Sequence, residues 1–431
     1  MKVRTSHNAA KMSRRSFIKT GVSAAAMGSL AGGLTTTLCT PALAESESAV
    51  SYAERLWRET KEALGKLEGY RKTLNIHAWE GYTEEPVLQP FIEQTGATIN
   101  SQMLISDSSA VNDLRAGGTK NWDILNVNNS WAREFMGPEN LITPLDVEKF
   151  KPLSGMNLPE FAWPYKWAMD KSNEKLLGMV QRFGPSAMVV NTDAISRETI
   201  ETGGYMEMIE GAKGRYGVID FEEWVIMHTC QAAGFSPFRT HTDDEMGKFE
   251  EMVNKVFQNA AKVSDDQTTL ARDMVTGEIV GTFASSLYTA SAARNEGYTN
   301  IMNVVPIEGP EETKTAENPK GRAGVVWIEN TSLVNNPSPT PLAEAFLIYC
   351  HVPEIAYRVA AKAPGTLNPV VQMGAPEVLA MFERSELDAI QWGDAGEWLR
   401  ELTDRCEDFG TNPDYDAMHD MYTAAKRRRG L

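Results

Sequence analysis

Trp79 and Tyr82 flank Gly81 in the run Trp79-Glu80-Gly81-Tyr82, directly after the alternating stretch Leu74 to Ala78. Trp327 and Glu329 stand two apart inside Val325–Val334, an apolar run that reads as a strand, so alternation puts them on one face. These types suit one chemistry. Ring faces attract a desolvated cation by roughly 0.5 to 2 kcal/mol each, and a carboxylate fixes its position. Two or three rings with one acid make a site for an amine or a quaternary ammonium group. Asn128 and Ser130 follow a further strand and bring hydrogen-bonding groups to the same sheet edge. Arg182, beside Phe183-Gly184, suits a ligand carboxylate, sulfonate or phosphonate. With both charges at one cleft, the ligand would be a zwitterion such as an amino acid or betaine. The plain alternative is a set of core aromatics with a surface acid. A glycine-containing loop after a strand, rather than helical spacing, favours the ligand role.

Catalytic patterns are missing. There is no H-E-x-x-H, no G-x-S-x-G, no phosphate-cradling G-x-x-x-x-G-K-[ST] and no G-x-G-x-x-G. His77, His228, His241, His351 and His419 have no metal-ligand spacing with one another or with the cysteines. No cofactor and no enzymatic activity is expected. An exported redox enzyme is the alternative class, but no haem or iron–sulfur spacing supports it.

The first 44 residues form a leader. Ser13-Arg14-Arg15-Ser16-Phe17-Ile18-Lys19 matches the twin-arginine export pattern, a weakly apolar run follows from Gly21 to Leu34, and Ala42-Leu43-Ala44 is an A-x-A cleavage site. Export by the twin-arginine translocase, cleavage after Ala44 and a periplasmic location are expected. Six of the 42 basic residues and none of the 58 acidic ones lie in the leader, leaving 36 against 58. Such a surface repels nucleic acid and anionic lipid. Cys230, Cys350 and Cys406 remain after cleavage, an odd number with no C-x-x-C, so one disulfide at most could form.

These groups need a scaffold, and the patterning supplies one. Residues 45–72 carry apolar residues at spacings of three and four, the mark of an amphipathic helix. From Thr73, short strands and helices alternate with short loops, which implies mainly parallel sheets flanked by helices. Thr83 is the expected N-cap of the first of these helices, and Gly96 stops it. Gly178 to Asn191 is a longer extended stretch, expected to break at Gly184-Pro185. Beyond it come a strand at Tyr216–Asp220 and helices at Glu222–Ala233 and Asp243–Ala261. A further strand is expected at Glu278–Phe283, and the C-terminal third is helical. At 431 residues the chain is long enough for two lobes.

The W-x-x-Y after the first strand and the F-x-x-x-T-G closing the next helix are carried by Trp79, Tyr82, Phe91, Thr95 and Gly96. Together they resemble the opening of the spermidine/putrescine-type branch of periplasmic solute-binding proteins, which serve ABC importers. Trp327-Ile328-Glu329 resembles the family's W-x-D, where the ring packs on the ligand and the carboxylate pairs with an amine. Asn128 and Ser130 match, by position, a loop where the family uses hydroxyl and aromatic groups. Ala343 to Ala356 resembles the helix pair after the second crossover. The chain departs from the pattern in the second lobe, where family acids fall at Phe221 and Trp224 and a tryptophan at Ala284. The resemblance implies a two-lobed α/β fold with several crossovers. One lobe would hold residues 73–185 and 325–370, the other 186–324 and 371–431. It also implies a monomer that captures a small polyamine-like ligand and hands it to an inner-membrane permease.

Overall fold

Leu74, Ile76 and Ala78 are buried in β1 (Thr73–Ala78), the alternation that the sequence predicts. In the computed structural model, which describes residues 47–363 and 366–431, the chain around β1 folds as alternating strands and helices. The expected leader lies outside the described residues. α1 (Ala49–Lys66) is capped by Ser48 and buries Ala53, Leu56, Trp57 and Leu64. Trp57 packs 5.9 Å from Phe91 and 5.1 Å from Tyr349, so α1 covers the outside of the first strand–helix unit. α2 (Glu85–Thr95) begins one residue later than expected, with Glu84 rather than Thr83 at the N-cap. Gly96 ends it at φ 67°, a left-handed cap that glycine adopts without a Cβ penalty. β2 (Thr98–Met103) and α3 (Asp107–Arg115) follow, the helix capped by Ser106.

β3 (Ile124–Asn128) pairs parallel with β1, and β1 with β2. After β3, the five residues Ala132–Met136 wind as a π-helix. β4 (Ile142–Thr143) is short. β5 (Met179–Asn191) is buried along its whole length and is not broken at Gly184-Pro185. Glycine there meets a physical need: a Cβ on Gly184 would lie 2.9 Å from the Trp327 ring. Pro185 has no N–H to donate, and its carbonyl accepts from Ser286 Oγ at 2.6 Å instead.

The second half holds β6 (Tyr216–Ile219), β7 (Lys262–Ser264), β8 (Gly281–Ser286) and β9 (Ile301–Val304). β8 begins three residues after the expected start, because Ile279 and Val280 are buried ahead of it without joining the strand. β10 (Gly324–Val334) returns to the first half, and β11 (Cys406–Asp408) adds to its start. The strand order is β2-β1-β3-β10-β5-β8-β6-β7, with β4 and β11 on β10 and β9 on β5. β10 and β5 are antiparallel to one another and to their outer neighbours; β6, β7 and β8 are parallel. The result is a two-lobed α/β fold in which β5 and β10 cross from lobe to lobe.

A buried polar network secures the crossovers. Tyr205 Oη donates to Ala323 O at 2.7 Å, Gln231 Nε2 to Gly324 O at 2.8 Å and Ser186 Oγ to Val325 O at 2.9 Å. His228 sits among them, 3.0 Å from Ser186 Oγ and 2.9 Å from Tyr205 Oη, and burial lowers its pKa to about 3. It is a neutral structural imidazole. Cys230, Cys350 and Cys406 are free and buried. Among the described residues no helix is long and apolar enough to cross a membrane.

Candidate functional site

Where the ends of β1 and β3 approach the two crossovers, the chain leaves a cavity of about 50 Å³. Five aromatic side chains line it: Trp79, Phe221, Trp224, Tyr288 and Trp327. Asn128, Arg182, Glu329, Glu80, Gln267 and Asn368 supply the polar wall. The structure thus brings Trp79, Asn128, Arg182, Trp327 and Glu329 together around one space. Tyr82 lies beneath it, fully buried, with the Arg182 guanidinium 5.0 Å from its ring centre. Ser130 lines a neighbouring cavity of about 670 Å³ together with Trp131, Glu222 and Glu223.

Arg182 and Glu329 do not wait separately for a ligand. Arg182 Nε and Nη2 donate to Glu329 Oε2 and Oε1, each at 2.8 Å, in a buried bidentate pair. The pairing follows from the strands. β5 and β10 run antiparallel with Phe183 opposite Ile328, and a register shift beyond Ile328 sets Glu329 beside Arg182. Burial raises the Glu329 pKa, opposed by the guanidinium; Arg182, although burial works against its charge, is held protonated by Glu329. The two charges cancel.

The pair uses Nε and Nη2 and leaves Arg182 Nη1 buried without a hydrogen-bond partner among the described residues. Glu80 has neither an ion-pair partner nor a hydrogen-bond partner among the described residues. Gln267 Oε1, Asn368 Oδ1 and Tyr288 Oη are buried and likewise unpaired among the described residues. Unsatisfied buried polar atoms cost on the order of 1 to 3 kcal/mol each, so a group that bonds them is favoured. Trp327 is fixed by its indole N–H, which donates to Ser286 Oγ at 3.0 Å, and it lies 6.0 Å from Tyr288. Trp79 is fixed by Asp107, whose Oδ1 accepts from the indole N–H at 3.0 Å. Asp107 is buried, also accepts from Asn128 Nδ2 at 2.7 Å, and burial lifts its pKa to about 7.

Sequence reasoning passed over Glu80, Asp107, Gln267, Tyr288 and Asn368. Glu80 was visible as the residue between Trp79 and Gly81. Asp107 had the signal of an acid in a first helical turn behind Ser106. Gln267, Tyr288 and Asn368 carry no local signal, because distant segments bring them to the cavity. Phe221 and Trp224 line the cavity where the resembled family has acids. Of the nearby acids, Asp220 is bonded to Tyr422 and Lys426, and Glu222 to Tyr415 and His419.

Gly81 joins the two first-strand aromatics, and no other residue fits there. Its φ is 98°, and a Cβ would lie 2.4 Å from Arg182 Nη1. Gly81→Ala is expected to lower stability by about 1 to 3 kcal/mol through strain and displacement of Arg182. Chemical denaturation checks it; a change below about 0.5 kcal/mol would show that the loop adapts freely.

No family model matches the chain, and no curated protein matches it. Solved structures do. A putative spermidine/putrescine ABC transporter from Listeria monocytogenes aligns with a TM-score of 0.61 at 17% identity, over 83% of this chain and 99% of that one. The spermidine/putrescine ABC transporter substrate-binding protein PotD from Streptococcus pneumoniae gives 0.58 at 17% identity, with the same coverage. The binding protein MotA from A. tumefaciens B6, in complex with glucopine, gives 0.56 at 10% identity, over 82% and 99%. At identities this low the likeness is one of fold: the chain has the two-lobed periplasmic-binding-protein fold found in ABC-transporter substrate-binding proteins.

Proposed function

We propose that the chain is the solute-binding component of an ABC importer and captures a small organic amine between its lobes. The lobes are residues 73–185 with 325–370, and 186–324 with 371–431. The leader directs export through the twin-arginine translocase to the periplasm, where the protein works as a monomer and delivers its ligand to an inner-membrane permease. No bond is made or broken.

The observation that carries the ligand class is the composition of the cavity wall. Five rings line the space with one unpaired carboxylate, Glu80, and four unpaired polar atoms, on Gln267, Asn368, Tyr288 and Arg182, at least two of them acceptors. An ammonium group is the natural complement, since it donates up to three hydrogen bonds and is attracted to ring faces. With Arg182 and Glu329 neutralising one another, the wall keeps a single net negative charge. That favours a cationic end over an acidic one; of the guanidinium on which the zwitterion alternative rests, Nε and Nη2 are taken by Glu329 and Nη1 is left without a partner among the described residues. A space of about 50 Å³ takes one compact polar end rather than an entire long diamine.

A thermal-shift screen of putrescine, spermidine, betaines, amino acids and organosulfonates tests this reading. A true ligand stabilises by RT ln(1 + [L]/Kd), about 2.7 kcal/mol at a hundredfold excess over Kd. Primary amines are expected to raise Tm and sulfonates to leave it unchanged. Hits confined to acids would overturn the amine assignment.

A further inference from the structure

Val326 precedes Trp327 on β10, and consecutive residues of a strand face opposite sides of the sheet. Trp327 lines the first cavity; Val326 lines another, of about 940 Å³, that shares no lining residue with it. β5 repeats the arrangement. Arg182 lines the first cavity, while the ring of its neighbour Phe183 packs 4.6 Å from that of Phe161, which lines the larger space. The crossover strands thus separate two cavities, one on each face. The wall of the larger one draws on residues between 160 and 167, on Arg322 and Val326, and on residues between 403 and 411. β11 brings Glu407 there by pairing with the start of β10, where Val325 is its partner.

Several charges on this wall are already paired. Lys166 binds Asp408 at 2.7 Å, Glu160 binds Arg400 at 3.1 Å and Glu134 binds Lys171 at 2.6 Å. Arg322 is different. It lines the space half-buried, and its guanidinium has neither an ion-pair nor a hydrogen-bond partner among the described residues. Glu407 accepts from Ser236 Oγ at 2.8 Å through Oε2, and its Oε1 is buried without a partner among the described residues. The Asp404 carboxylate also lacks one among them. Trp167, only 9% exposed, leaves its indole N–H unpaired, and so do the hydroxyls of Tyr165 and Thr411. A wall with unmatched groups of both charges is completed by a molecule that carries both.

We propose that this cavity is a second ligand site, which takes an α-amino acid with an apolar side chain, its carboxylate held by Arg322 and its ammonium by Glu407. The site is separate from the first cavity and does not depend on the amine reading of that one. Each half of the assignment follows from the chemistry of the wall. A guanidinium offers a carboxylate two parallel N–H groups, and an ammonium offers three donors to a carboxylate oxygen. A plain anion would meet the unpaired acids, and a plain cation would meet the free guanidinium. A metal ion is a poor occupant, since among the described residues no group of three or more His, Cys, Asp or Glu side chains is placed to hold one. Phe161, Tyr165 and Phe238 give the ligand's side chain an apolar surface, whereas Trp167 has Lys166 Nζ 4.5 Å over its ring.

Equilibrium dialysis against radiolabelled L-phenylalanine, with phenylpropanoate and phenethylamine as unlabelled competitors, tests this. The first competitor lacks the ammonium and the second the carboxylate. Displacement counts only what shares the L-phenylalanine site, so an amine held in the first cavity does not enter. Burial raises the Glu407 pKa to about 7, and the dialysis is therefore run at about pH 8, where the carboxylate is mainly ionised. L-Phenylalanine is expected to saturate a single site, and each competitor to bind there more than about tenfold more weakly. Arg322→Gln and Glu407→Gln are each expected to weaken L-phenylalanine by a similar factor. No saturable binding of L-phenylalanine, or a competitor that displaces it as well as L-phenylalanine itself does, overturns the proposal. So does wild-type affinity in the two variants, which would put the amino acid at another site. The competitor series needs no substitution and decides the ligand chemistry even where a variant folds poorly.

Discussion

Replacing Arg182 by Met is expected to destabilise the protein by about 3 to 5 kcal/mol, because it strands the Glu329 carboxylate in a dry site. The pair is bidentate at 2.8 Å, with side chains 1% and 5% exposed. Its attraction offsets the desolvation of both ions; removing one leaves the cost of the other uncompensated. Glu329→Gln is expected to do similar damage for the mirror reason. The double variant Arg182→Met/Glu329→Met should recover most of the loss, since two apolar side chains of similar volume carry no charge to desolvate. Denaturant melts of the two single variants and the double make the cycle. A single Arg182→Met within about 1 kcal/mol of wild type would mean that water reaches Glu329 and that the pair is not buried in solution.

That pair also marks the limit of what the sequence could reveal. The alternating strands and helices were legible because each rests on local periodicity: Leu74, Ile76 and Ala78 all point to the core, and Gly96 caps α2. Trp79 and Trp327 were legible as wall residues, one at a strand end and the other two positions from an acid. Glu329 and Arg182 were each legible as charges near the cleft. Their union was not, since it depends on the register of β5 against β10 across 147 residues. A charge alone looks like a ligand contact; a charge with a partner is part of the frame. The same reason hid Gln267, Tyr288 and Asn368, which reach the cavity only through the packing of distant segments. The π-helix after β3 was hidden differently, for its sequence differs in no local preference from an ordinary helix.

Glu80 separates binding from stability. It lines the cavity half-buried and unpaired among the described residues, so neutralising it leaves no stranded partner. Glu80→Gln is therefore expected to change folding stability by less than about 0.5 kcal/mol. Its effect on an amine ligand is expected to be large. A charge-assisted contact is worth about 1.5 to 3 kcal/mol, which is roughly a tenfold to more than hundredfold rise in Kd. The rings cannot compensate, because their attraction to a cation is weaker for each contact and lacks direction. Isothermal titration of the amine found by thermal shift, against wild type and Glu80→Gln, measures the difference. Trp79→Phe provides the comparison: it keeps a ring but deletes the indole N–H bonded to Asp107, and should weaken binding by a smaller factor. If Glu80→Gln binds as tightly as wild type, the ammonium is not read at Glu80. The cation would then have to sit in the larger neighbouring cavity, against Glu222 and Glu223.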